Sequence, residues 1–135
     1  MKTLIVDDEF INREVMKKIL EPYGTCDLAE NGQEAVQRFK QALHAHEPYD
    51  LVLLDMRMPV MNGLDALHQI RQAENTMVSG GILTKSHKAF VIIVTIVDNP
   101  SEFKKAYFEG QCNGFINKPV DPDLLLERLR KHKLI

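Results

Sequence analysis

Leu51-Val52-Leu53-Leu54-Asp55-Met56-Arg57-Met58-Pro59 is the stretch that decides the fold. Its first four residues are apolar without alternation, and the run stops at an acid followed by a proline-containing turn. A strand with one wet face alternates polar and apolar residues, whereas one that is apolar throughout is covered on both faces. Runs of the same kind recur at residues 3–6, 90–94 and 114–116, with a weaker one at 25–29.

Working outward, each run is followed by a helix-length amphipathic stretch. Residues 10–20 carry Ile11, Val15 and Ile19 at intervals of four, which reads as the apolar stripe of a helix. Asn31 with Glu34 three residues on has the form of a helix cap, and Asn99-Pro100 with Glu102 repeats it. Asp121-Pro122 opens a last helix whose buried face would be Leu125, Leu129 and Leu126. Gly24 and Gly110 stand where helices should stop. Five β units alternate with five α units, which argues for an α/β domain with a parallel sheet covered by helices on both faces. Residues 73–88, polar and containing Gly80-Gly81, read as a long mobile surface loop inserted between the third helix and the fourth strand.

Composition narrows the class. At 135 residues, 44% hydrophobic and 27% charged, the chain is expected to be one globular domain spanning 1–135, with no separate output domain. A net charge of −2 without a Lys/Arg block argues against direct nucleic-acid binding. Cys26 and Cys112 form no ligand or redox motif and read as reduced thiols. Acid arrives at residue 7, too early for a secretory leader, and no apolar run is long enough to span a membrane. The expectation is a soluble, cytoplasmic protein.

In open parallel α/β sheets, ligands bind beyond the carboxyl ends of the strands. The first strand presents Asp7 and Asp8 there, the third Asp55, the fourth Thr95 and the fifth Lys118. Carboxylate pairs ~4 Å apart repel by roughly 4 kcal/mol at an effective dielectric of 20, so such a group binds either protons or a cation. All-oxygen ligands suit Mg²⁺. A divalent ion beside a carboxylate also neutralises charge in phosphoryl transfer, while the Lys118 ammonium and Thr95 hydroxyl are able to hold phosphoryl oxygens. Singly, each residue has an ordinary reading: a helix cap, a turn acid, a satisfied strand-end hydroxyl, a surface charge. Together, in this order, they read as one site. His44, His46, His68, His87 and His132 show no zinc spacing, and no GxxxxGK[ST], GxGxxG or GxSxG is present.

The chain resembles the receiver domains of two-component response regulators, of the stand-alone chemotaxis-regulator kind, along nearly its whole length. The resemblance is carried by Leu4-Ile5-Val6-Asp7-Asp8-Glu9, by Asp55-Met56-Arg57-Met58-Pro59-Val60-Met61-Asn62-Gly63, by Thr95 and by Lys118-Pro119. It implies a flavodoxin-like (βα)5 sheet ordered 2-1-3-4-5. It implies Asp55 as phosphoacceptor, and Asp8 and Asp55 as Mg²⁺ ligands, with Asp7 reaching the ion largely through water. Arg57 would give only its backbone carbonyl. The Lys118-Pro119 bond is expected to be cis. Thr95 and Phe115 take the switch positions, Phe115 turning inward as Thr95 moves; a permanently buried core phenylalanine is the alternative. The implied partners are a histidine kinase or phosphotransfer protein as donor and an output protein at the face of the fourth helix, fifth strand and fifth helix, with pairing of two copies on phosphorylation a further option. Such a module is not a conventional enzyme, although it assists its own phosphorylation and dephosphorylation.

Two positions depart from the family pattern. Ile96 stands where a small residue is usual, and its stiff β-branched side chain is expected to narrow access to Asp55 or to restrict Phe115; Val97 removes a polar handle beside it. Two rival functions follow. An aspartate-nucleophile phosphatase of the haloacid dehalogenase type needs a second Asp two residues after the first, where this chain has Arg57. A phosphorylation-independent receiver would keep partner binding without the acceptor chemistry.

Overall fold

The computed structural model describes residues 1–56, 58–81, 88–96, 104, 109 and 111–135. Arg57, His87, Val97, the helix start at Asn99-Pro100 and the stop at Gly110 lie outside the described residues. Strands β1 (Lys2–Val6), β2 (Thr25–Ala29), β3 (Leu51–Asp55), β4 (Phe90–Thr95) and β5 (Gly114–Asn117) form one parallel sheet in the order β2-β1-β3-β4-β5. Helices α1 (Phe10–Leu20), α2 (Gly32–His44), α3 (Gly63–Ser79) and α4 (Pro122–Lys131) flank it. This is the expected flavodoxin-like order.

Successive side chains of a strand point to opposite faces, so the unbroken apolar runs supply two layers at once. Leu4, Val6, Val52, Leu54, Val91 and Ile93 join α2 and α3 through Phe39, Leu67 and Ile70. Ile5, Leu51, Leu53, Ile92, Val94 and Ile116 face the other way, onto Met16 and Leu20 of α1 and Leu125 and Leu129 of α4. Caps sharpen the helix starts. The Asn31 side chain accepts from Glu34 N at 2.9 Å, and Asp121 accepts from Asp123 N and Leu124 N.

Two expectations are corrected. The stripe of α1 is not its buried face: Ile11 is 72% and Val15 45% exposed, and only Ile19 packs partly on the core. Arg13, Met16 and Leu20 point inward instead. The charge at Arg13 disguised that face, since a long arginine stem buries readily when its head finds partners.

The second correction concerns residues 73–79, which continue α3 and are not loop. Their polarity misled because Asn75, Thr76 and Ser79 form the exposed side of the helix while one charged residue, Glu74, is turned inside. Arg71 Nη1 meets Glu74 Oε1 at 2.7 Å, and Glu74 Oε2 accepts from Ala89 N at 2.7 Å. Arg71 also donates to the carbonyls of Gln111 and Ala89 and to Asn113 Oδ1, which in turn accepts from Val91 N. Met77 extends the buried face. The network ties α3 to the amino ends of β4 and β5, fixing the strands whose far ends carry Thr95 and Lys118. Breaking a buried ion pair leaves an uncompensated charge. Glu74→Ala is therefore expected to lose about 3 kcal/mol of unfolding free energy in a urea titration, and a loss below about 1 kcal/mol contradicts this account of α3.

Candidate functional site

Parallel pairing brings every strand's carboxyl end to one edge. Val6 lies opposite Leu54, so Asp7 follows directly beside Asp55, the last residue of β3. Asp7 and Asp55 are buried and Asp8 is exposed. One carboxylate oxygen from each lies within 4.8 Å of the others. Among the described residues this is the only group of three acidic, histidine or cysteine side chains so placed.

Lys118 enters from the end of β5. Its backbone N–H donates to the Thr95 carbonyl at 2.8 Å, and its bond to Pro119 is cis, as expected. Its Nζ stands 2.9 Å from Asp7 Oδ2 and 3.2 Å from Asp55 Oδ2. Burial by itself would lower the lysine pKa; the hydrogen bond to Asp7 and the nearby Asp55 charge outweigh it and hold the group above its usual range. Thr95 is buried at the end of β4, its hydroxyl donating to the Ile96 carbonyl at 3.2 Å. Phe115 is 37% exposed on β5, so it is not a buried core side chain as the structure stands.

The loop after Asp55 folds back over it. Gly63 N donates to the Met56 carbonyl at 2.8 Å, and a Cβ at Gly63 would come within 2.3 Å of the Asp55 carbonyl oxygen, which only glycine avoids. Asn62 caps α3 by accepting from Asp65 N at 2.9 Å. Val60 holds a left-handed φ of 70°, strained for a β-branched residue, with its side chain in solvent. Exposed Phe10, Ile11 and Ile96 also follow or flank strand ends on this edge.

The structure thus brings Asp7, Asp8, Asp55 and Lys118 together and sets Thr95 on the same edge. Arg57 lies outside the described residues. Sequence reasoning passed over Asn62 and Arg13. Arg13 Nη1 donates to the Asp7 carbonyl at 2.8 Å. The signal available for it was the spacing Arg13, Met16, Leu20, a single helical face.

The donor set fits a hard dication. All ligand atoms are carboxylate oxygens, and three carboxylates against one ammonium leave an excess of two negative charges. No described helix is long and apolar enough to cross a membrane.

Residues 3–130 match the family described as the response regulator receiver domain. Two-component response regulator 24 of Arabidopsis thaliana is 33% identical over 132 residues, covering 97% of this chain and 83% of that protein. Of solved structures, the Saccharomyces cerevisiae phosphotransfer protein Ypd1 with the receiver domain of its downstream response regulator Ssk1 aligns at 28% identity and TM-score 0.78, over 95% of this chain and 85% of the other. The CheX-CheY-BeF3-Mg²⁺ complex of Borrelia burgdorferi aligns at 27% identity and TM-score 0.79, over 98% and 88%. The match also extends to hybrid signal transduction histidine kinases of Dictyostelium discoideum, of whose length the chain spans only 6% and 5%. With strand order, acid cluster and sequence in agreement, the chain belongs to the response regulator receiver domain family of two-component signalling.

Proposed function

We propose that this chain is one receiver domain over residues 1–135 that takes a phosphoryl group onto Asp55 in the cytoplasm and relays its presence to an output protein. The observation that carries the reading is the acid triad, its oxygens within 4.8 Å, with Lys118 Nζ in contact with both Asp7 and Asp55. Asp8 and Asp55 would hold Mg²⁺ directly, Asp7 largely through water, and Arg57 by its backbone carbonyl. The ion supplies neutralisation of charge on the phosphoryl oxygens.

The donor is a histidine kinase or a phosphotransfer protein. One Asp55 carboxylate oxygen forms the new O–P bond as the N–P bond of the donor phosphohistidine breaks, and the imidazole leaves with that electron pair. Lys118, already between Asp7 and Asp55, holds a phosphoryl oxygen without a charge being brought in from solvent. Exposed Phe10, Ile11, Val60 and Ile96 give a donor protein apolar surface around the acids.

Signalling follows from Thr95. Its hydroxyl gives up the Ile96 carbonyl for a phosphoryl oxygen, and Phe115, half out in solvent, turns into the space released. That motion reaches the face of β5 and the last helix, where an output protein or a second copy docks. A few kcal/mol of differential stabilisation suffices to shift such an equilibrium.

Three outcomes follow. After incubation with Mg²⁺ and a small acyl phosphate, intact-mass measurement should show one added phosphoryl group, absent in Asp55→Asn and absent with a chelator; uptake by Asp55→Asn refutes the assignment. Ile96, 70% exposed beside the site, is read as a partial gate, so Ile96→Ala should change the labelling rate by about threefold or more, or roughly 0.6 kcal/mol in the barrier. Equal rates remove it from the mechanism. The third is pH dependence in Mg²⁺-free buffer. A lysine pKa raised above 10.5 by folding contributes stability fully present below pH 10.5 and lost as pH climbs through the folded value. Urea midpoints should fall more steeply above pH 10.5 for the parent than for Lys118→Met, and parallel curves would rule the pairing out as a source of stability.

A further inference from the structure

Asp7 is tied at each of its polar groups. Its N–H donates to the Ala29 carbonyl at 3.1 Å, its Oδ1 accepts from Glu9 N at 2.9 Å, and its Oδ2 meets Lys118 Nζ at 2.9 Å. The remaining group, the carbonyl oxygen, accepts from Arg13 Nη1 at 2.8 Å. Arg13 reaches it from one turn into α1 and is only 7% exposed. Its Nη2 lies 3.6 Å from Glu30 Oε1, beyond β2, and its guanidinium carbon 5.8 Å from the centre of the Phe10 ring. Burying a guanidinium is costly unless its charge and donors are met. Met16 and Leu20 show that the same face is otherwise filled by apolar side chains, so packing does not call for an arginine here.

The carbonyl matters because of the bond it belongs to. The Asp7 C=O and the Asp8 N–H lie in one rigid plane. Pinning the oxygen fixes the rotation of that plane, and with it the direction in which the chain enters Asp8, the exposed member of the triad. We propose that Arg13 is a positioning residue for the metal centre: by holding the Asp7–Asp8 peptide from the α1 side, it aims the Asp8 carboxylate at the cation. The inference rests on the Mg²⁺ reading above.

Positioning and charge make opposite demands. An arginine acting only by its charge competes with a cation for the acids, so its removal would tighten Mg²⁺ binding. Loss of an aligning hydrogen bond weakens it, and outer partners of this kind are commonly worth 10-fold or more in metal affinity.

The test is a Mg²⁺ titration of the unphosphorylated full chain at fixed ionic strength, followed by calorimetry and by amide shifts in NMR spectra, with thermal melting in Mg²⁺-free buffer alongside. Arg13→Ala should fold cooperatively and bind Mg²⁺ on the order of 10-fold more weakly, Arg13→Lys should recover part of the loss, and Glu30→Gln should stay within about twofold of the parent. Unchanged or tighter binding by Arg13→Ala overturns the proposal. If that variant does not fold, Arg13→Met keeps the apolar stem without the donor, and parent-like affinity there overturns it equally. A parent chain that takes up no Mg²⁺ sinks the functional reading and this inference together. Parent uptake with unaltered uptake by the Arg13 variants sinks this inference alone.

Discussion

Mutual repulsion among three carboxylates at one edge of the sheet is the constraint on which the rest of the structure depends. Asp7 and Asp55 are buried, and their oxygens share a space 4.8 Å across with that of Asp8. Like charges so close, partly removed from water, are unfavourable by several kcal/mol. The fold tolerates them because surrounding groups answer them. Lys118 bridges two, the Glu9 amide bonds to a third oxygen, and the arrangement leaves an excess of negative charge for a hard cation.

The scaffold holds these groups by backbone pairing and not by their own side-chain contacts alone. Asp7 extends β1 through its bond to Ala29, Asp55 closes β3, and the Lys118 amide is bonded to the Thr95 carbonyl. Asp7, Asp55 and Lys118 therefore each lie within one residue of a strand end, and the two central acids sit at the ends of β1 and β3, whose side chains pack into the core on both faces. Such placement fixes side-chain origins closely while leaving tips, notably Asp8 and Phe115, open to solvent.

Polar chemistry is also concentrated at the opposite edge, for a different purpose. Arg71, Glu74 and Asn113 satisfy backbone groups at the beginnings of β4 and β5, where the sheet would otherwise expose unpaired amides and carbonyls. One end of β4 is thus locked and the other carries the Thr95 hydroxyl, whose partner is a single carbonyl next to it.

Much was legible in the amino-acid order by itself. The unbroken apolar runs required strands buried on both faces, their alternation with helical stretches required a parallel sheet, and a parallel sheet puts all carboxyl ends together, so Asp7, Asp8, Asp55, Thr95 and Lys118 had to share an edge. These conclusions need only side-chain type and period. Tertiary structure alone decided which face of α1 is inward and whether residues 73–79 are helix, because both turn on buried polar side chains. Arg13 and Glu74 look like surface residues until the carbonyl of Asp7 and the guanidinium of Arg71 are seen beside them. A charge goes inside only when a partner from elsewhere in the chain meets it. Hydrophobic periodicity is local and carries no trace of that distant partner.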